Sequence, residues 1–567
     1  MIKIIKFLIF NRYLTEFSHL LVYDYSVCLK LYHNNMKNSS IIIAILSFSA
    51  TTQAANPERQ TGFDPALDVP NSDRIFASSP TIIDLNNNGS PEIIFGDSKG
   101  KVHAIRSNGT VYWQQSVSTA SIESKPAVAD INNDGNMEVI VSSGSTRTPG
   151  SNGGVTVLNG QTGAQICHYT PPQFSSAPRA VYSTPAIANL DNDPQLEFVF
   201  GDWGAKVMAL NHDCSVLWAS QSPPGVTGVQ LPNDFDETVP PYTAYVNDTV
   251  WSSPAIADMN KDGQLDVIIG VDANIDDNNI TPDGGRLLVI NGNNGSVQFS
   301  VSTDEVIWAS PVIADLDKDG NLDVIVGTGY CWQTTACAPG QSHSVTNKIY
   351  AWNNQGQNLP GWPHILQNNY ATRNNSPALA DLDGDGFLEV IVNTFLIGSG
   401  SPPQIPDSGK VFAINHNGSL LWGAIPNVPA GNNFRDYASG AASPIVADIS
   451  GNGDFDVVVP SNWELVVYNK NGVQISRQSP DPVDDITMLG TFPFISTPTM
   501  ADLDNDGDYE MIAVSGNVNV NPRPATINVW DLVTPTSEFQ PWLSFRNDVK
   551  NNGVYSKPDF IFGTDFE

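Results

Sequence analysis

Positive charge is scarce in this chain: 27 Lys and Arg stand against 59 Asp and Glu in 567 residues, a formal net charge of -32. Such a balance argues against nucleic acid or an anionic membrane surface as a partner. Charged residues of either sign make up only 15 % of the chain, while 45 Gly and 40 Pro punctuate it, a composition that favours many short strands over helices. Long apolar runs are missing as well. No segment approaches the roughly 20 apolar residues that a membrane-spanning helix needs, so no membrane insertion is expected. Catalytic signatures are equally sparse, with no H-E-x-x-H, no complete G-x-S-x-G, no phosphate-binding glycine loop and no zinc-type Cys/His spacing. "GQSHS" at 340–344 lacks the final Gly of a nucleophile elbow, and His212 and His364 read as lone structural histidines.

Cysteine is rare, at five residues. From Met36, "MKNSSIIIAILSFSATTQA" has a basic start, an apolar stretch and small residues before Ala54, the pattern of a secretory signal peptide. Residues 1–55 are therefore read as a leader, with the signal peptide at 36–54 and Met36 as the expected start, which makes the mature protein secreted or displayed at the cell surface. Four cysteines remain after the leader, an even number compatible with an oxidising compartment. Cys331 and Cys337 are close enough in sequence to staple one loop; Cys167 and Cys214 are candidates for a bridge between neighbouring repeats.

What the chain has in abundance is one repeated unit. Near the end, "DLDNDGDYE" (502–510) packs five acids into nine residues between apolar segments. Two unit charges about 4 Å apart repel by about 1 kcal/mol in water and about 4 kcal/mol at an effective dielectric of 20, so the crowding calls for a cation. Alternating carboxylates, a Gly for the sharp turn and a closing acid at the ninth position supply the hard oxygen ligands that suit Ca2+. The closing acid of an EF-hand falls at the twelfth position between helices; here an apolar strand follows at once. Versions of this loop begin at Asp84, Asp130, Asn189, Asp258, Asp315, Asp381, Asp448 and Asp502, spaced 46 to 69 residues apart. The sixth copy displays the whole unit: "SPALA", the acidic loop, "LEVIV", an insertion, "KVFAI", an Asn-Gly turn and "SLLW". Four strands per copy and eight copies predict an all-β, eight-bladed β-propeller of four-stranded antiparallel blades over residues 76–545, with 546–567 as a C-terminal tail.

These repeats resemble FG-GAP/VCBS repeats, the family of the integrin α-subunit propeller and of many exported bacterial proteins. The resemblance implies a Ca2+-binding propeller, usually with seven blades in the integrin form, so seven is the alternative count. It implies no single activity. "PWLSFRNDVKNNG" (541–553) resembles a terminal motif of quinoprotein-like and FG-GAP propellers, in which its Trp and Phe would close the last blade.

Loop positions 1, 3, 5 and 9 are expected to offer side-chain oxygens to structural Ca2+. The fully acidic sets are Asp315, Asp317, Asp319 and Asp323; Asp381, Asp383, Asp385 and Glu389; and Asp502, Asp504, Asp506 and Glu510. Asp130, Asn132, Asp134 and Glu138, and Asp258, Asn260, Asp262 and Asp266, each replace one acid by Asn and are expected to bind. The weaker sets are Asp84, Asn86, Asn88 and Glu92; Asp191, Asp193 and Glu197, where Pro194 takes the Gly position; and Asp448, Asn452 and Asp456. Proline cannot adopt positive φ, which puts the third loop's shape in question.

The insertions all fall between second and third strands or between blades, on the face opposite the acidic loops, and variable loops on a rigid scaffold usually carry recognition. Tyr182, Trp251 and Trp308 enter that face just before inner strands, with Trp332 and Trp362 on nearby insertions, and are candidate ligand-binding aromatics. Trp113, Trp218 and Trp422 recur at the ends of fourth strands and read as packing. The expected function is binding without catalysis: a monomer that takes an extracellular glycan or protein. Alternatives are a calcium-dependent polysaccharide lyase of the rhamnogalacturonan-lyase type, for which the sequence nominates no base, and a structural surface or matrix protein.

Overall fold

The second strand of each repeat is a nearly unbroken apolar run, such as "EIIFG" at Glu92–Gly96 or "DVIVG" at Asp323–Gly327, and every residue of these two is buried. A strand rich in Val and Ile with no polar face must be covered on both sides, and radial stacking of sheets does this. The computed structural model describes residues 28–31, 44–47, 57–75, 77–144, 153–171, 180–203, 206–219, 246–247, 250–274, 284–303, 305–329, 347–367, 370–372, 375–396, 409–425, 442–461, 463–476, 486–490, 494–516, 524–536 and 541–555. Two compact units result. In the first, Met1–Gln53, the strands Cys28–Leu31 and Ala44–Ser47 pair antiparallel.

The second unit, Ala54–Glu567, is an eight-bladed β-propeller of four-stranded antiparallel blades, and it has no helix among the described residues. In blade 6 the strands Ala378–Ala380, Glu389–Leu396, Lys410–Ile414 and Leu420–Ala424 pair in sequence order. The eight innermost strands are Thr81–Ile83, Ala127–Ala129, Ala186–Ala188, Ala255–Ala257, Val312–Ala314, Ala378–Ala380, Ile445–Ala447 and Thr499–Ala501. Their side chains are apolar or Thr and mostly buried.

The eighth blade corrects the sequence-based boundaries. Its fourth strand is not local: Leu67–Asp68 pairs with the strand Thr526–Pro535, and Arg59 bridges Trp530 further along. Arg59 also stacks over the Trp530 ring at 4.9 Å and donates to Asn528 Oδ1 at 3.1 Å. The propeller thus begins before residue 76, and its N-terminal segment closes the ring.

The segment 541–555 does not close the last blade. It runs around the channel, bonding successive inner strands: Val446 N–H donates to Trp542 O, Met500 to Leu543, Val128 to Val549, Ile187 to Lys550, Ile256 to Asn552 and Ile313 to Gly553. Part of the expected tail is therefore a central plug. Two buried cations hold it. Lys125 Nζ donates to Ser544 Oγ, Phe545 O and Asp548 O at 3.0, 2.9 and 2.7 Å. The Arg546 guanidinium, fully buried, reaches the carbonyls of Pro254 and Pro311 and Ser376 Oγ, on blades 4, 5 and 6. Gly553 sits at φ 67°, and a Cβ there would lie 2.2 Å from Arg546 Nη2. Burial pushes Lys125 down to about 7 and Arg546 to about 9.

Neighbouring blades are also pegged together at the rim. Trp113, Trp218 and Trp422 donate their Nε1–H to Gly160, Gly292 and Lys470 carbonyls in the third-to-fourth turn of the next blade. Cys167 occupies the same register position in blade 2, where it is bonded to Cys214 in the corresponding turn of blade 3 with Cα atoms 6.0 Å apart. A disulfide replaces the aromatic peg at that junction. Gly295 has φ 71° and room for no side chain, since a Cβ would lie 2.7 Å from the Trp218 ring. Gly295→Ala is expected to cost about 1–3 kcal/mol by combining positive φ with a displaced peg, measurable as a lower urea midpoint with unchanged slope.

Candidate functional site

The acidic loops join first and second strands, so all eight lie on one face. Their shape is set by backbone N–H groups folding onto carboxylates. In six loops the first-position Asp accepts from the Gly N–H at position 6: Asp84 from Gly89, Asp130 from Gly135, Asp258 from Gly263, Asp315 from Gly320, Asp381 from Gly386 and Asp448 from Gly453. The third loop lacks that N–H because Pro194 stands there; instead Asn189 Nδ2 donates to Asp193 O at 2.6 Å. The closing acid folds inward, and one of its oxygens accepts from the loop's second residue, as Glu138 does from Ile131 at 3.0 Å and Glu389 from Leu382 at 2.8 Å.

The second oxygen is the informative one. Glu138 Oε1, Glu197 Oε1, Asp456 Oδ1 and Glu510 Oε1 are buried without a hydrogen-bond partner, as are Asp315 Oδ1 and Asp502 Oδ1. An unsatisfied buried carboxylate is costly, and a cation is what this donor-free set of oxygens fits. Four loops bring three acidic ligand atoms within 4.8 Å of one another: Asp191, Asp193 and Glu197; Asp315, Asp317 and Asp323; Asp381, Asp383 and Asp385; Asp502, Asp504 and Glu510. Three of these are the fully acidic sets. The third-blade set closes up despite Pro194, while the second- and fourth-blade sets do not gather three acids as tightly.

Burial pushes the closing acids upward, aided by the other carboxylates of each loop and opposed by the backbone N–H they accept. Glu138, Glu197, Asp266, Asp323 and Asp456 rise to about 7, and Glu389 and Glu510 to about 8.

On the opposite face, the residue before each inner-strand Pro is Ser or Thr in seven blades. Its hydroxyl accepts the equivalent N–H of the preceding blade, as in Lys125 to Thr184, Thr184 to Ser253, Ser253 to Ser310 and Ser443 to Thr497. Blade 2 has Lys125 there instead, and that departure turns its ammonium onto the plug. Above it opens a small depression lined by Glu123, Lys125, Tyr182, Trp251 and Phe545 among others. Tyr182 and Trp251 stack at 4.5 Å with rings 2° from parallel, and Trp308 stacks behind Trp251 at 5.2 Å. Trp203 meets both Tyr182 and Trp251 edge-on, at 5.7 and 5.2 Å.

Three of the five candidate aromatics thus come together, but only Tyr182 and Trp251 line the depression; Trp308 is buried behind Trp251 and reads as packing. Trp362 does not join them: it is buried, and its Nε1–H donates to His416 O as a rim peg between blades 5 and 6. Trp332, Cys331 and Cys337 lie outside the described residues, as does the Ser-His pair at 342–343. His364 is satisfied by Gly418 O at 2.9 Å. Trp203, Lys125, Phe545 and Arg546 are additions that sequence reasoning missed. Lys125 could have been found by aligning the eight pre-Pro residues.

A family model described as "FG-GAP-like repeat" matches residues 84–141 and 336–392. The chain carries FG-GAP-like repeats. No curated protein sequence matches it. Among solved structures, the propeller is similar to the quinohemoprotein alcohol dehydrogenase of Comamonas testosteroni, with 11 % identity, TM-score 0.55 and 86 % of this chain and 78 % of that one covered. It is also similar to a europium-containing methanol dehydrogenase, with 10 % identity, TM-score 0.53 and coverage of 82 % and 92 %. A Bacillus licheniformis rhamnogalacturonan lyase aligns at 12 % identity, TM-score 0.47 and coverage of 92 % and 84 %. At such identities the likeness concerns fold alone.

Proposed function

We propose that the chain is a secreted, calcium-stabilised propeller that binds an extracellular ligand, glycan or protein, through the face opposite the acidic loops. The observation that carries this reading is the stacked pair of half-buried rings, Tyr182 and Trp251, in the wall of the axial depression. Tyr182 and Trp251 are only half-buried, so the part of each ring left open offers apolar surface to a sugar ring or peptide side chain, and the depression is bounded by rigid inner-strand ends. The acidic loops stabilise the scaffold from the other face, where their buried partnerless oxygens fit Ca2+. The signal-peptide pattern at 36–54 and the Cys167–Cys214 bridge agree with an oxidising destination.

The test is retention of the mature protein on a panel of plant, algal and bacterial polysaccharides, with and without Ca2+, scored also for new unsaturated uronate absorbance. Trp251→Ala is expected to weaken retention at least about tenfold, equivalent to about 1.4 kcal/mol. Retention unaffected by Trp251→Ala and Tyr182→Ala would move binding elsewhere, and growing absorbance would replace the binding role with a lyase.

A further inference from the structure

The eight acidic loops differ in what faces the second oxygen of the closing acid. In blades 2, 3, 7 and 8 that oxygen, on Glu138, Glu197, Asp456 and Glu510, is buried and without a partner. In blade 1, Asn86 Nδ2 donates to Glu92 Oε1 at 2.9 Å. In blade 4, Gln298 Nε2, from the fourth strand of the same blade, donates to Asp266 Oδ1. Resting on the calcium reading above, we propose that a side-chain amide stands in for the metal ion in blades 1 and 4, so that these two loops hold their shape without calcium.

The geometry makes the substitution direct in blade 1. Loop positions 3 and 9 are the pair that blades 3, 5 and 8 draw together within 4.8 Å, as Asp191 with Glu197, Asp317 with Asp323 and Asp504 with Glu510. Blade 1 joins the same two positions by an amide hydrogen bond. An amide N–H2 group is a two-proton donor, and its bond to a carboxylate is charge-assisted. It therefore supplies what a cation would supply to that oxygen, and an ion entering the loop would have to break it.

Blade 2 is the internal control. It also has Asn at position 3, but Asn132 uses its Oδ1 to accept from Asp134 N–H at 2.9 Å, and Glu138 Oε1 stays orphaned. Asn at that position does not by itself displace the ion; the amide must reach the closing acid. In blade 4 the replacement comes from outside the loop.

The two arrangements predict different responses to losing one negative charge at the ninth position. Bound calcium per folded chain, measured by equilibrium dialysis and elemental analysis of the monodisperse protein, is expected to fall by one ion in Glu138→Gln and in Glu510→Gln. It is expected to stay at the wild-type number in Glu92→Gln and Asp266→Asn. Asn86→Asp, which removes the amide and completes an acidic loop, is expected to gain one ion. Loss of an ion in Glu92→Gln or Asp266→Asn, with Glu138→Gln also losing one, would overturn the stand-in while leaving the calcium reading intact. A wild-type protein that binds none would overturn both. As a second readout, calcium removal should lower the melting temperature of Glu92→Gln as much as that of wild type, and that of Glu510→Gln by less.

Discussion

Replacing Arg546 with methionine is expected to destabilise the propeller by about 3 kcal/mol or more, although the substitution keeps most of the volume. The guanidinium donates to the carbonyls of Pro254 and Pro311 and to Ser376 Oγ, all in the wall of the channel. Methionine donates nothing, and each buried carbonyl left alone costs about 1–3 kcal/mol. Removing the charge returns part of this, because burial already pushes the Arg546 pKa down to about 9, but a buried ion is costly to bring in and its orphaned partners are costly to leave. Arg546→Lys is also expected to lose stability, since a single ammonium cannot reproduce a planar fork aimed at two blades at once. Ending the chain after Gln540 removes Trp542 and Phe545 as well, both buried, and leaves eight inner strands around an unfilled axis; that protein is expected not to melt cooperatively. Urea titrations of the three variants provide the measurement. A methionine variant with a wild-type midpoint would mean that the plug is a passenger of the channel and not part of its structure.

Chelating calcium is expected to lower the melting temperature sharply, and by more at pH 8 than at pH 5.5. The sign follows from the closing acids. An exposed carboxyl in the unfolded chain titrates near 4, whereas burial holds Glu138 and Asp456 at about 7 and Glu510 at about 8 in the folded, ion-free protein. Between those limits the folded state binds more protons than the unfolded state, so the ion-free protein loses stability as pH rises from about 4 to about 8. Calcium must displace the same protons, so its affinity rises through that window. At ten times Kd each occupied site adds about 1.4 kcal/mol, and several such sites together approach the 5–15 kcal/mol, roughly, of a whole domain. Melting curves with and without EDTA at the two pH values decide it: an unchanged melt in EDTA at pH 8 would sink the structural role of the ion, and a larger effect at pH 5.5 would sink the proton linkage.

Trp251 and Tyr182 sit before the inner strands of blades 4 and 3, so they are held by the hydroxyl-to-backbone bonds that tie Thr184 to Ser253 and Ser253 to Ser310. Their spacing is therefore a property of the ring. Phe545 and Lys125 line the same depression and belong respectively to the plug and to its clamp. Loosening the plug through Arg546 should for that reason also weaken ligand retention, whereas Gly295→Ala, at the rim on the acidic-loop side, should not.

The repeat, the count of eight blades, the strand order within a blade and the position of every acidic loop were legible in the sequence. These are local properties: apolar strands of five or so residues, an Asx- and Gly-rich turn, and a pre-Pro Ser or Thr can be recognised within one unit, and eight copies reinforce one another. It also marked Trp113, Trp218 and Trp422 as packing, which their bonds to the next blade bear out. Which segments complete the ring depends on long-range contacts. Leu67 lies beside Ile527 and Lys125 beside Phe545, partners separated by more than four hundred residues that no local pattern connects. The same reason separates Trp362 from Trp251: both are tryptophans near insertions, but which face each occupies depends on whether the chain is entering an inner strand or leaving a third one. And the acidic loops, nearly alike as text, were sorted by their surroundings, because the closing carboxylate's second oxygen meets an amide from its own loop in blade 1 or from the fourth strand in blade 4, and meets nothing in blades 2, 3, 7 and 8, an outcome fixed only when the blade has folded.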